Sequence, residues 1–222
     1  FFADVDPYRL GIKALAVNLS DLAAMGAQPA WFTLALTLPE INDDWLKQFS
    51  AGLAYIAKKY QIQLVGGDTT RGPLTITIQV HGHVAKQNIL QRSAAESTDL
   101  ICVTGCLGDA AAGLQFRLGQ LETGLLTDTD FEYLLQRLEM PTPRNQIGQQ
   151  LVGKAHAAID ISDGLLADLN HILNASGKGA KLDISALPFS DALKKLPTEM
   201  ATQLALTRRR AMWRNLNNSF LR

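Results

Sequence analysis

The chain has 222 residues, 47% of them apolar and 19% charged, and its 21 basic and 21 acidic side chains give a formal net charge of zero. That is ample for one large domain or two modest ones. No run approaches the roughly 20 uninterrupted apolar residues of a membrane span and no basic segment followed by an apolar run opens the chain, so a soluble cytoplasmic protein with no membrane partner is expected. The neutrality hides an asymmetry: Arg208, Arg209, Arg210, Arg214 and Arg222 fall after Ala201 with no acidic residue among them, which leaves the first 200 residues at −5. A mildly acidic body does not suit a nucleic-acid binder, whose basic charge must spread over a folded face, and a terminal charge run reads as solvated.

In chain order, Pro7 to Met25 carries Leu15, Leu19 and Leu22 at helical spacing, with Gly26 placed to end the helix and Asn18 and Asp21 on a different face. WFTLALTL (31–38) predicts a strand, and Asp43 to Tyr60, with Leu46, Phe49, Leu53 and Ile56 three and four apart, a helix. QIQLVGG and LTITIQVHGHV predict two more strands. The second alternates Leu74, Ile76, Ile78 and Val80 against Thr75, Thr77, Gln79 and His81, the pattern of a half-buried strand in an antiparallel sheet. A polar stretch over about 85–98 marks a domain boundary.

Beyond it, DLICVTG reads as a buried strand leading through Gly105 and Gly108 into the helix DAAAGLQFRLG, and Cys102 and Cys106 as reduced packing residues without zinc partners. A helix follows over Thr129 to Leu138, then a break at Pro141 and Pro143. AHAAIDIS is expected as a short strand, GLLADLNHILNAS as a helix, AKLDIS as a strand, and Ser190 as the cap of a final short helix.

Chemistry is sought where carboxylates end apolar elements, because a charge beside buried structure is costly unless a cation or hydrogen bonds compensate it. Asp21 on the first helix, Asp68 in Leu64-Val65-Gly66-Gly67-Asp68-Thr69-Thr70, and Asp160 and Asp163 in Ile159-Asp160-Ile161-Ser162-Asp163-Gly164 meet that description. Magnesium takes hard oxygen ligands and bridges carboxylates to substrate phosphates, while glycine lets a polyphosphate approach the backbone. Each feature also has a plain reading: a turn, a chance Gly-Gly-Asp, the wet side of a helix. The Gly105–Gly108 turn suits a phosphate cradle or a tight connection equally, and His81 and His83 read as sheet histidines rather than metal ligands.

The runs KALAVNLSDLAAMGAQPAWFTLALTLP, LVGGDTTRGPLTITI, Arg92-Ser93, VTGCLGDAAAGL and AIDISDGLLADLNHI follow one another in an order that resembles the thiamine-monophosphate kinases from Phe1 to about Leu206. NLSDLAAMGA together with GGDTTRG sets this wording apart from the aminoimidazole-ribonucleotide synthetases, selenophosphate synthetases and hydrogenase-maturation dehydratases that share the architecture. The resemblance implies an α/β (α+β), two-domain aminoimidazole-ribonucleotide-synthetase-like fold. Residues 1–92 would form an N-terminal sheet-plus-helices domain that binds ATP and Mg²⁺, and residues 93–206 a C-terminal α/β domain. It also implies a homodimer formed through the N-terminal sheet, and ATP held between the domains as phosphoryl donor to thiamine monophosphate, giving thiamine diphosphate and ADP. By the same resemblance Asp21, Asp68, Asp160 and Asp163 are carried over as Mg²⁺ ligands and Gly67, Asp68, Arg92 and Ser162 as nucleotide contacts, with no residue cast as a general base.

Members of that family begin with a Gly-Asp-Asp-type carboxylate cluster and a substrate-contacting histidine before the position of Phe1, and continue past Leu206 with Gly-Gly-Glu-Asp-Tyr-Glu. Here residues 207–222 are basic and acid-free. The resemblance is therefore to a kinase truncated at the N-terminus with an aberrant tail. A catalytically inactive fragment, or a superfamily relative acting on another phosphate, are the alternatives.

Overall fold

The computed structural model of the chain describes residues 1–121 and 124–207, so the basic tail expected over 207–222 lies, apart from Thr207, outside the described residues. The elements run α1 (Pro7–Ala24), β1 (Gln28–Leu38), α2 (Asp43–Lys59), β2 (Gln63–Arg71), β3 (Thr75–His83), α3 (Asp109–Arg117), α4 (Asp128–Glu139), α5 (Asn145–Leu151), α6 (Leu165–Ser176), α7 (Asp191–Lys194) and α8 (Thr198–Leu206). They belong to two units, Phe1–Leu90 with Glu139–Ala158 and Gln91–Leu138 with Ile159–Arg222.

In the first unit α1 starts where the Asp6 carboxylate accepts a hydrogen bond from the Arg9 amide at 2.9 Å, with Pro7 in the first turn. It ends as expected at Gly26, whose φ of +69° takes the left-handed turn while the Ala27 amide returns to the Leu22 carbonyl at 2.9 Å. Asn42 caps α2 by accepting from the Trp45 amide at 2.9 Å, and Asp43, Asp44, Lys58 and Lys59 place each sign of charge at the favourable helix end. That helix carries the chain from β1 to a parallel β2, and β3 pairs antiparallel with the other side of β1, giving the order β2-β1-β3. Leu15, Leu19, Phe32, Leu36, Phe49, Leu53 and Ile56 form the core, with Ile76, Ile78 and Val80 of β3 packed half-buried against it. The alternation read from the sequence is borne out: Thr75, Thr77 and Gln79 face solvent. His81 stacks on Trp31 with ring centroids 5.5 Å apart and His83 meets the same indole edge-on at 5.2 Å, an aromatic role.

The stretch after Pro141 and Pro143 holds a helix that the sequence did not announce. In α5, Asn145 donates from Nδ2 to the Leu19 carbonyl at 3.0 Å, and Gly148 lies where a Cβ would stand 2.1 Å from the Ala23 carbonyl oxygen. The Tyr60 hydroxyl fixes the entry to this helix by donating to the Pro143 carbonyl at 2.9 Å.

The second unit is built from α3, α4, α6, α7 and α8 around two apolar clusters. One gathers Ala112, Leu121, Leu134, Leu193, Leu196 and Leu204. The other gathers Leu107, Leu165, Ala205 and Leu206. Ser190 caps α7 as expected, accepting from the Leu193 amide at 3.2 Å. Its hydroxyl donates in turn to Asp109 Oδ1 at 2.6 Å, and Tyr133 donates to Asp109 Oδ2 at 2.8 Å. Asp109 is only 2% exposed, so these bonds join α3, α4 and the start of α7 through one buried carboxylate.

Burial first, and the bond to Asp109 second, push the Tyr133 phenol up to about 12. The fold favours the neutral phenol, so this contribution is present below pH 10 and disappears as pH rises through about 12. Tyr133→Phe removes one hydrogen bond to a charged, buried acceptor and should cost about 1.5–3 kcal/mol in urea unfolding at pH 7. Absorbance titration of the phenols should show the latest-ionising one missing from the variant.

Three expected strands are not formed among the described residues. DLICVTG takes no part in a strand ladder, and Leu100 is 89% exposed rather than buried. AHAAIDIS keeps a single bridge residue at Ala157, and AKLDIS runs into a short 3₁₀ turn, Ile184–Ala186. Apolar, β-branched runs express strand propensity only where a neighbour supplies the ladder. Cys102 and Cys106 are free thiols, and both are exposed rather than packed.

Candidate functional site

Asp21 stands exposed on the last turns of α1, one turn beyond Asn18, whose Nδ2 donates to the Ala14 carbonyl at 2.8 Å. The core stripe Leu15, Leu19 and Leu22 fixes which side of the helix is buried and so turns residue 21 outward. Asp68 lies on β2 at the register position of Ala35, on the sheet face opposite the buried Phe32 and Leu36. Its Oδ1 accepts from the Thr69 amide at 2.8 Å.

Just before Asp68 the ladder jumps from Phe32–Leu64 to Thr33–Gly66, so Val65 is an extra residue in a bulge. Gly67 follows with φ +151°, and a Cβ there would lie 1.8 Å from the Leu34 carbonyl oxygen. Glycine at 67 is thus required by the approach of β2 to β1, whatever it also does for a ligand. Asp21, Gly67 and Asp68 all belong to the first unit.

Arg92, Asp160, Ser162 and Asp163 belong to the second. Asp160 is half-buried, whereas Ser162 and Asp163 are exposed in the turn that enters α6. Gly164 makes that turn with φ +112°. The amides of Ser162 and Asp163 both donate to Asp168 Oδ2, at 2.9 and 3.0 Å.

At the other end of α6, the Ser176 hydroxyl donates to the Arg92 carbonyl at 3.0 Å and accepts from the Ala95 amide at 3.1 Å. One helix therefore holds both segments of this unit that carry expected nucleotide contacts. The Gly105–Gly108 turn also leads into a helix, with Gly108 at φ +89°, but a Cβ there would meet Leu193, Leu204 and Ala205. Its glycine serves the close packing of α3.

Among the described residues no group of three or more histidine, cysteine, aspartate or glutamate side chains is gathered as a metal site. Asp168 and Ser176 escaped sequence reasoning. Their one local signal is position: Asp168 is an acidic residue in the first turn of a helix that follows an Asp-Gly turn, where anions are favoured.

Residues 1–84 match the family model for the N-terminal domain of AIR synthase related proteins, and residues 97–206 the model for the C-terminal domain. The chain thus carries the paired domains of that superfamily. It is 54% identical over 195 residues to thiamine-monophosphate kinase of Salmonella typhimurium, covering 88% of this chain and 59% of that protein. To the Escherichia coli K12 enzyme it is 51% identical, covering 93% of this chain and 63% of that one. The crystal structure of thiamine-monophosphate kinase from Stenotrophomonas maltophilia K279a superposes with TM-score 0.88 at 43% identity, covering 99% of this chain and 74% of that chain. A ThiL structure complexed with AMPPCP and TMP superposes at 0.83 with 31% identity, covering 93% of this chain and 67% of that one. The chain belongs to the thiamine-monophosphate kinase family, and it spans about three fifths of the length of these curated relatives.

Proposed function

We propose that this chain is the part of a thiamine-monophosphate kinase that binds ATP and Mg²⁺, in an enzyme that phosphorylates thiamine monophosphate to thiamine diphosphate. The observation that carries the reading is its 54% identity over 88% of the chain to such a kinase, in a sequence whose candidate ligand positions 21, 68 and 163 are exposed aspartates. The donor set suits the metal: the four carboxylates, and the Ser162 hydroxyl that lies between two of them in sequence, offer only oxygen, the ligand a hard cation takes. Asp21, Asp68, Asp160 and Asp163 are the residues that would hold it, and bound magnesium would neutralise charge on the triphosphate.

A phosphate monoester oxygen is already a nucleophile near neutral pH, so no side chain has to take a proton from it. As that oxygen bonds to the γ-phosphorus of ATP, the bond to the β,γ-bridging oxygen breaks and ADP departs with the electron pair. Two anions must meet for this, so the residues act by binding and alignment. Arg92 would place a positive charge on the nucleotide, Ser162 a hydroxyl, and Gly67 a backbone free of any Cβ.

We further read residues 1–92 and 93–206 as the two domains, the cytoplasm as the location, and a homodimer as the assembly of the intact enzyme. Supporting the last, β2 is exposed along its whole length, with Leu64 and Val65 at 47% and 56%, a surface that a second sheet would cover. Calorimetric titration of the chain with Mg·ATP should give saturable heat that vanishes when EDTA removes the metal. Absence of nucleotide binding at millimolar ATP would reject the reading. Turnover with another phosphorylated acceptor, but none with thiamine monophosphate, would move the chain to a different branch of the superfamily.

A further inference from the structure

We propose that Asp168 is a positioning residue that fixes the 160–164 turn, and so the aim of Ser162 and Asp163, without itself touching metal or nucleotide. This rests on the reading of that turn as part of the Mg·ATP site. Asp168 is 4% exposed, in the first turn of α6, and therefore not presented to a ligand in solvent. Its Oδ2 alone receives two consecutive amides, Ser162 at 2.9 Å and Asp163 at 3.0 Å. Paired, charge-assisted bonds of this kind set the orientation of both peptide planes, and each peptide plane sets where its side chain leaves the backbone.

The two amides are spent inside the protein, so a phosphate reaching this turn meets the Ser162 hydroxyl and the Asp163 carboxylate rather than a nest of free N–H groups. The apolar residues Leu165 and Leu169 flank Asp168 in the helix, and both are buried. With the helix anchored by them, the turn hangs from α6 through the carboxylate.

The test uses the full chain and two variants, Asp168→Ala and Asp168→Asn, each followed by amide hydrogen exchange and by calorimetry with Mg·ATP. In the unliganded protein the Ser162 and Asp163 amides should be protected, and in Asp168→Ala they should exchange at least tenfold faster while amides in the middle of α6 keep their rates. Mg·ATP affinity should fall by roughly 10–100-fold in that variant, the range typical of lost outer-shell support. Asp168→Asn keeps an acceptor oxygen but loses the charge, so it should fall between the two, and it decides the matter if the alanine variant does not fold.

Unchanged exchange at residues 162 and 163 in the variant that folds overturns the proposal. So does faster exchange with unaltered Mg·ATP affinity, because the order of the turn would then be irrelevant to binding. Failure of the parent chain itself to bind Mg·ATP would strike the functional reading instead, leaving the exchange arm to judge whether Asp168 holds the turn.

Discussion

Gly52→Ala is expected to destabilise the first unit by about 3 kcal/mol or more, although alanine is the better helix former by about 1 kcal/mol. A Cβ at residue 52 of α2 would stand 1.9 Å from the Tyr8 carbonyl oxygen of α1. The contact is reciprocal: a Cβ at Gly11 of α1 would stand 2.2 Å from the Phe49 carbonyl oxygen of α2. The obstacle in both cases is backbone, which has no rotamer to change.

The two helices would have to separate by more than an ångström. That separation opens the space around Leu15, Phe49 and Leu53, which are 0%, 1% and 6% exposed in the present packing. Propensity and packing therefore predict opposite signs, and the packing penalty outweighs the gain in helix propensity. A loss of this size lowers the melting temperature by roughly 10 °C in a chain of this length. Gly179→Ala is the control, since nothing lies within 4 Å of a Cβ there, and it should be close to neutral. A Gly52→Ala protein as stable as its parent would mean that α1 and α2 do not approach as described.

The same pair of glycines shows what the sequence could and could not disclose. Periodicity placed α1 and α2 within a residue or two, because Leu15, Leu19, Phe49 and Leu53 mark a buried stripe directly. It did not mark Gly11 or Gly52, since close approach is a property of two helices at once. β3 was legible for the same reason as the helices: one face is wet and the other is not.

DLICVTG misled because its composition describes a strand that pairs, whereas pairing depends on a neighbour elsewhere in the chain. Gly108 was read as a phosphate cradle or a tight connection, and the crowding by Leu193 and Ala205 gives it a packing role that no local pattern reveals. In the candidate site, chemistry picked out Asp21, Asp68, Asp160 and Asp163 as candidates, each with a plain reading beside it, and the family resemblance set them apart. Asp109 and Asp168 did not, because a buried carboxylate that accepts hydrogen bonds looks in sequence like any other helical aspartate. First-turn position is compatible with a solvated charge as much as with a structural anchor.

If Asp21 and Asp163 hold magnesium as proposed, Asp21→Asn and Asp163→Asn should carry the largest functional consequence, because they change charge without changing shape. A neutral amide oxygen is a poorer ligand for a hard dication than a carboxylate, and magnesium tolerates little departure from octahedral geometry, so a neighbouring group cannot readily move in. Each substitution should weaken Mg·ATP binding by about 100-fold or more, at or beyond the upper end of what outer-shell losses cost. For Asp21→Asn stability should move by no more than about 0.5 kcal/mol, since that side chain is exposed on the helix. The bond from the residue-163 amide to Asp168 is made by backbone, so Asp163→Asn leaves that donor in place.

The two sites report on different units, Asp21 on the first and Asp163 on the second, so the pair tests whether both contribute to one ligand. Loss at Asp163 with no loss at Asp21 would confine nucleotide binding to the second unit. Affinities within about threefold of the parent at both positions, measured by the same calorimetry, would remove the aspartates from the metal site altogether.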